Sequence, residues 1–353
     1  KVIIMRIKTS LAIGILLLAL FVIGCNQVAQ EQNNEKLDVV VSILPQKAFV
    51  KAVGGDLVNV KELIPPGGSP ATYEPKPSDL ALVEEADIYF RIGHIPFEKS
   101  HVSKFAELNP NMKIIDTSVN VQLRHFGEHE EHSHEDEHEE EEYVHDHDEE
   151  QVPIDHNEHE EEEYAHDHEE EHEDEHAHDE HEEDHHDHHH EGVDPHIWLS
   201  PMQVKKQVDT IAQALAQEDP KNAEAYTNNA EDFKNQLDEL HSDIETELGA
   251  LKTDKLMVFH PAWGYFADEY GLEQMAIEQS GKEPTAEQLQ HLIEEAKEED
   301  IKVIFVQSQF NKEIAESVAE EVGAVVVSID PLSEDYINNL RNVATTIAES
   351  LSN

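Results

Sequence analysis

The stretch Ala223–Leu251, AEAYTNNAEDFKNQLDELHSDIETELGAL, places Ala223, Tyr226, Ala230, Phe233, Leu237, Leu240, Ile244, Leu248 and Leu251 three or four residues apart throughout. That spacing predicts one apolar stripe on a single helix over 220–252, of roughly 30 residues and about 45 Å. A helix of that length has two uses. It packs against two domains at once, or it forms a coiled-coil dimer arm. What flanks it points to the first. Upstream, Val39–Leu44, Val58–Ile64, Asp87–Ile92 and Met112–Asp116 read as strands, with a helix over Asp79–Glu85. Downstream, Lys255–Phe259, Lys302–Val306 and Ala324–Ile329 read as strands. Helices are expected after Thr285, which has capping-box spacing to Gln288, after Asn311, and from Asp335 to Leu351. Strand alternating with helix argues for parallel sheets covered by helices, hence an α/β chain. Just before the long helix, Ser200-Pro201 is an N-cap and N1 pair, and Val204, Val208, Ile211 and Leu215 mark one helical face.

Two segments stand outside this pattern. At the N-terminus, Arg6 and Lys8 precede the apolar run Leu11–Ile23, which is too short for a membrane span. Val22-Ile23-Gly24-Cys25 resembles a bacterial lipobox, so residues 1–24 are expected to be a lipoprotein signal peptide. Cys25 would then carry the lipid and residues 25–36 a polar tether. Cys25 is the only cysteine, which leaves the mature chain without a disulfide or a thiolate metal site. The second segment, 125–191, is dominated by Asp, Glu and His and has no Lys or Arg from Glu128 to Glu191. EHEEEEYVHDH at Glu137–His147 nearly recurs as EHEEEEYAHDH at Glu158–His168. With almost no apolar residues, it is expected to be a disordered loop inserted in the first domain.

The formal charge of −55 argues against nucleic acid, which needs basic patches, and favours cations. In open α/β sheets, ligands gather beyond the carboxyl ends of the strands. His94, His260 and Asp330 follow predicted strands, and His196 lies in the loop Asp194-Pro195-His196-Ile197-Trp198, so all four can face one cleft. Imidazole and carboxylate are the ligands left to a cysteine-free zinc site. Singly, each residue has a plainer reading. A His after a strand is more often a surface or hydrogen-bonding group, and an Asp before Pro is more often a turn former. The insert offers flexible chelating groups for auxiliary metal capture. They are the pairs His132 and His134, His145 and His147, His166 and His168, and His176 and His178, followed by His185, His186, His188, His189 and His190. The nearby carboxylates concentrate cations around them. His241 and His291 are expected to face water, and Trp198, Trp263 and Tyr265 to pack near the cleft.

Five motifs resemble, in order, those of the metal-binding lipoproteins of zinc and manganese ABC importers. They are PPGGSPATYEPKPSD within Ile64–Asp79, DPHIWLSP at Asp194–Pro201, FHPAWG at Phe259–Gly264, SGKEPTAE at Ser280–Glu287, and Asp330-Pro331-Leu332. The acidic His-rich insert resembles the zinc members in particular. The resemblance implies two α/β lobes, over 37–219 and 253–353, joined by one long rigid helix, with the metal between them. It implies a zinc-binding protein that makes no chemical change to its cargo. Such a protein works as a monomer outside the cell membrane, lipid-anchored, and delivers Zn2+ to an ABC permease with its cytoplasmic ATPase. A manganese-type subunit and an adhesin retaining a metal site are the alternatives. A zinc hydrolase is disfavoured by the lack of an HExxH-type element outside the low-complexity insert. Of the family ligands, the resemblance carries over His196, His260 and Asp330. The fourth position is Ala71, which cannot ligate. His94 is the expected substitute and His101 a weaker one.

Overall fold

The computed structural model describes residues 36–126, 192–278, 284–310 and 312–352. Several expectations fall elsewhere in the chain. The lipidation residue Cys25, the helix cap Asn311 and the motif residues Ser280–Glu283 lie outside the described residues. So do the expected capture groups of the insert: His132, His134, His145, His147, His166, His168, His176, His178, His185, His186, His188, His189 and His190.

The first sheet comprises β1 (Leu37–Val41), β2 (Val58–Glu62), β3 (Ile88–Arg91) and β4 (Lys113–Asp116), all parallel, in the order β2-β1-β3-β4. Helices α1 (Leu44–Gly54), α2 (Pro77–Glu85) and α3 (Pro96–Leu108) connect them. The predicted strand Val39–Leu44 breaks at Ser42, because Pro45 enters the first turn of α1, where its missing N–H costs nothing. After the insert come α4 (Pro201–Glu218) and α5 (Ala223–Leu248). Ser200 caps α4 by accepting from Gln203 N–H. The second sheet repeats the first topology, as β6-β5-β7-β8, with β5 (Lys255–Val258), β6 (Glu273–Ala276), β7 (Val303–Val306) and β8 (Val325–Ser328). Its helices are α6 (Gly264–Tyr270), α7 (Ala286–Glu298), α8 (Lys312–Val322) and α9 (Tyr336–Leu351). The strand Glu273–Ala276 is not expected from the sequence, since Glu, Gln, Met and Ala have weak strand propensity. It pairs because β5 beside it leaves an edge to fill.

The long helix is 26 residues, about 39 Å. It is shorter than expected because Pro220–Asn222 forms a separate 3-10 turn and Gly249 caps the far end. Its stripe, Tyr226 to Leu248, is buried within the chain against α1, α4 and α9, which removes the surface a coiled-coil arm would need. The same continuous core takes in Val41 and Phe90 of the first sheet and Val258 and Phe305 of the second. Alternate residues Met257, Ile304 and Val306 face a second core under α7 and α8. Both faces of that sheet are therefore covered, as parallel sheets require. The C-terminal helix and the loop before it also reach the first lobe: Tyr336 meets Phe49 edge-on at 4.8 Å, and Glu334 pairs with Lys51 at 2.6 Å. Among the described residues no helix is long and apolar enough to cross a membrane.

Candidate metal centre

Two imidazoles meet where the carboxyl ends of the sheets converge. The rings of His196 and His260 are 5.2 Å apart, edge to face. His196 ends the Asp194-Pro195-His196 loop, just before a 3-10 turn, Ile197–Leu199. The turn drives Trp198 into the core, where its indole N–H donates to Pro331 O at 2.8 Å and its ring packs on His196. His260 follows β5; its ring stacks on Phe310 at 4.7 Å, and its carbonyl accepts from Gln307 Nε2 at 3.0 Å.

Each imidazole is held by a carboxylate at Nδ1. Asp194 Oδ1 accepts from His196 Nδ1 at 2.7 Å and from its backbone N–H at 3.0 Å. Glu278 Oε2 accepts from His260 Nδ1 at 2.8 Å. A ring that donates from Nδ1 leaves the Nε2 lone pair for a metal, the arrangement of carboxylate–histidine–zinc sites. Burial holds His196 below the ordinary imidazole range; the neighbouring Asp194 charge opposes that shift without overcoming it. The neutral ligand form therefore prevails at neutral pH. Sequence reasoning places Asp194 in a motif without a role and does not find Glu278. Glu278 comes after the strand β6, which has no clear sequence signal, so no local pattern points to it.

The other expected site residues lie in the surrounding loops. Asp330 follows β8; its Oδ1 accepts from Leu332 N–H at 2.9 Å, the turn-forming role of an Asp before Pro. His94 follows β3 in the turn before α3 and is half-buried. Burial lowers its pKa, Asp116 works in the opposite sense, and Lys99, Arg91 and His125 add to the lowering. Its charged neighbours are thus distinct from those of His196, which are Asp194, His260 and Glu278. Ala71 is exposed, but its loop adjoins the His94 segment, since Phe97 N–H donates to Pro70 O at 3.1 Å. His101 has a packing role: it lies between Phe97 and Phe105, and Nδ1 donates to Phe97 O at 2.8 Å. Among the described residues, no three His, Cys, Asp or Glu side chains form a ready-made cage. His241 departs from expectation. It is half-buried, 2.9 Å from Glu269, while His291 is exposed.

The family model described as zinc-uptake complex component A, periplasmic, matches residues 39–350. The chain belongs to that family. Its members are binding components of metal uptake, and none of the chemistry is enzymatic. The high-affinity zinc uptake system protein ZnuA of Bacillus subtilis (strain 168) is 27% identical over 338 residues, covering 91% of this chain and 89% of that protein. The manganese-binding lipoprotein MntA of Halalkalibacterium halodurans is 22% identical, covering 98% of this chain and 99% of that one. A crystal structure of a zinc-bound ZnuA deletion mutant superposes with a TM-score of 0.70 and 34% identity, covering 90% of this chain and 98% of that one. The two-lobed α/β fold expected from the sequence is the fold of these proteins.

Proposed function

We propose that this chain captures Zn2+ between its lobes and delivers it to an ABC permease with its cytoplasmic ATPase, acting as a monomer anchored to the extracytoplasmic face of the membrane through Cys25. The observation that carries the reading is the facing pair His196 and His260, each with Nδ1 committed to a carboxylate. In this proposal the ion takes both Nε2 atoms and draws in His94 and Asp330 to complete a nitrogen-rich shell. Three imidazoles and one carboxylate favour zinc over manganese, which prefers more oxygen ligands. The insert histidines act upstream as weaker capture groups.

The test is chelator competition with Zn2+ and Mn2+ in parallel, joined to growth of cells in zinc-depleted medium. Tight zinc binding and a zinc-reversible growth defect on deletion support the proposal. A growth defect reversed by manganese alone assigns the manganese role. Cys25→Ser should release the protein from the membrane fraction, and retention would refute the lipid anchor.

A further inference from the structure

Arg124 stands where the insert leaves the first lobe, and its side chain reaches the hydrogen-bonded frame around His196. Nη1 donates to Asp194 Oδ2 at 3.2 Å, and Nε donates to Asp268 Oδ2, on α6, at 3.0 Å. Its backbone N–H donates to the Tyr265 hydroxyl at 2.8 Å, and that hydroxyl donates to the Asp194 carbonyl at 3.2 Å. The Asp194 side chain is fully buried and that of Arg124 is 12% exposed. Across the root of the insert, Asp194 N–H donates to Arg124 O at 2.9 Å, and His125 and Val193 form an antiparallel bridge. Gly264 floors the arrangement. A Cβ there would lie 2.5 Å from Arg124 Nη1 and 2.8 Å from Asp194 Oδ2.

The two oxygens of Asp194 therefore have separate duties. Oδ1 is committed to the ring and backbone of His196, and Oδ2 to Arg124. Without the guanidinium, the buried carboxylate loses the cation that faces it and is free to turn about its Cβ–Cγ bond, at the cost of an uncompensated charge. We infer that Arg124 is a positioning residue of the metal site. Through Asp194 it fixes the orientation and Nδ1–H tautomer of His196, and through Asp268 and Tyr265 it ties that imidazole to the lobe carrying His260. The inference rests on the reading of His196 as a ligand. Arginine suits the task because its planar fork serves two carboxylates in different directions, which the point charge of lysine does not.

The test uses the full chain, with Zn2+ as the probe in competition with a chelator strong enough to report only the tight site. Arg124→Gln is expected to weaken zinc about 10- to 100-fold, the range for partners behind a metal ligand. Arg124→Lys should recover part of that loss. If Arg124 acts through Asp194, then adding Arg124→Gln to Asp194→Asn costs little more than Asp194→Asn alone. Nitrogen NMR of the metal-free protein should show His196 protonated at Nδ1 in the parent and as a tautomer mixture in Arg124→Gln. Gly264→Ala displaces the guanidinium without removing a charge and should give the same spectroscopic change. It keeps the test alive should Arg124→Gln fail to fold. Parent-like affinity in Arg124→Gln overturns the inference. So does an affinity loss that adds to Asp194→Asn while the His196 nitrogen shifts stay fixed, since that is scaffolding alone. Parent-like binding by His196→Ala instead strikes the ligand reading itself.

Discussion

The imidazole–carboxylate pairs of the two lobes solve the same problem with different stiffness. His196 pairs with a fully buried Asp194 that also holds its backbone N–H and is backed by Arg124. Among the described residues His260 pairs with Glu278 through one hydrogen bond, and its ring rests on Phe310. A short Asp with three donors has little freedom, whereas a longer Glu with an aromatic neighbour can follow its imidazole. In the proposed zinc site the first pair would be the fixed half, and the second the half that adjusts to the ion.

The largest expected effect tests whether the pair is the centre at all. His196→Ala or His260→Ala should each weaken zinc by more than the roughly 100-fold upper range for outer-shell partners. Chelator competition on protein lacking Glu128–His190 reads this without the insert. If that deletion removes the tight site, the cleft assignment fails.

The comparison itself is sharpened by removing each carboxylate's charge. Asp194→Asn should cost about 10- to 100-fold in zinc affinity, and Glu278→Gln should fall at or below the lower end of that range. Equal losses would mean that the two halves are equally stiff. His94 comes next. His94→Ala should weaken zinc measurably, and Ala71→His added to it should restore affinity, because the Ala71 loop is bonded to the segment that carries His94.

Smaller effects follow from pH. Burial keeps His196 below the ordinary imidazole range, so on acidification the cleft should still hold zinc at the ordinary imidazole pKa of about 6.5. For the metal-free protein the sign is fixed by linkage. Unfolded His196 takes up its proton at a higher pH than the folded residue does, so stability should fall as pH drops below about 6.5. Glu98 works oppositely. Burial raises its carboxyl to about 7, against an ordinary 4.5, although it accepts from Ile92 N–H at 2.8 Å and Gly93 N–H at 2.7 Å. The folded state holds that proton longer, so its contribution is fully present below pH 4.5 and is lost as pH rises through about 7. Thermal unfolding of Glu98→Gln should show a flatter profile across that window.

Much of the architecture was legible because it is written in local periodicity. The long helix shows in its three-and-four spacing, the strands in β-branched runs, and the starts of α4 and α7 in Ser200 and the Thr285–Gln288 box, both of which form the predicted bonds. What escaped were the helices α1 and α6, the strand β6, accepted only because β5 offers an edge, and the break of β1 at Ser42. The site divides the same way. His196 and His260 stood out beside strand ends and motifs, whereas Glu278 and Arg124 carried no local signal.

The sequence alone thus determined most of the element types, the α/β class and the residues chemically able to hold a metal, because hydrophobic spacing and ligand chemistry are properties of short stretches. Only the tertiary structure decided which of those residues meet and which carboxylates hold them. Arg124 and Asp194 are 70 residues apart, and Arg124 and Asp268 are 144 apart. Such pairs acquire meaning only when packing brings distant loops and a helix together, where a buried charge must find its partner or destabilise the fold.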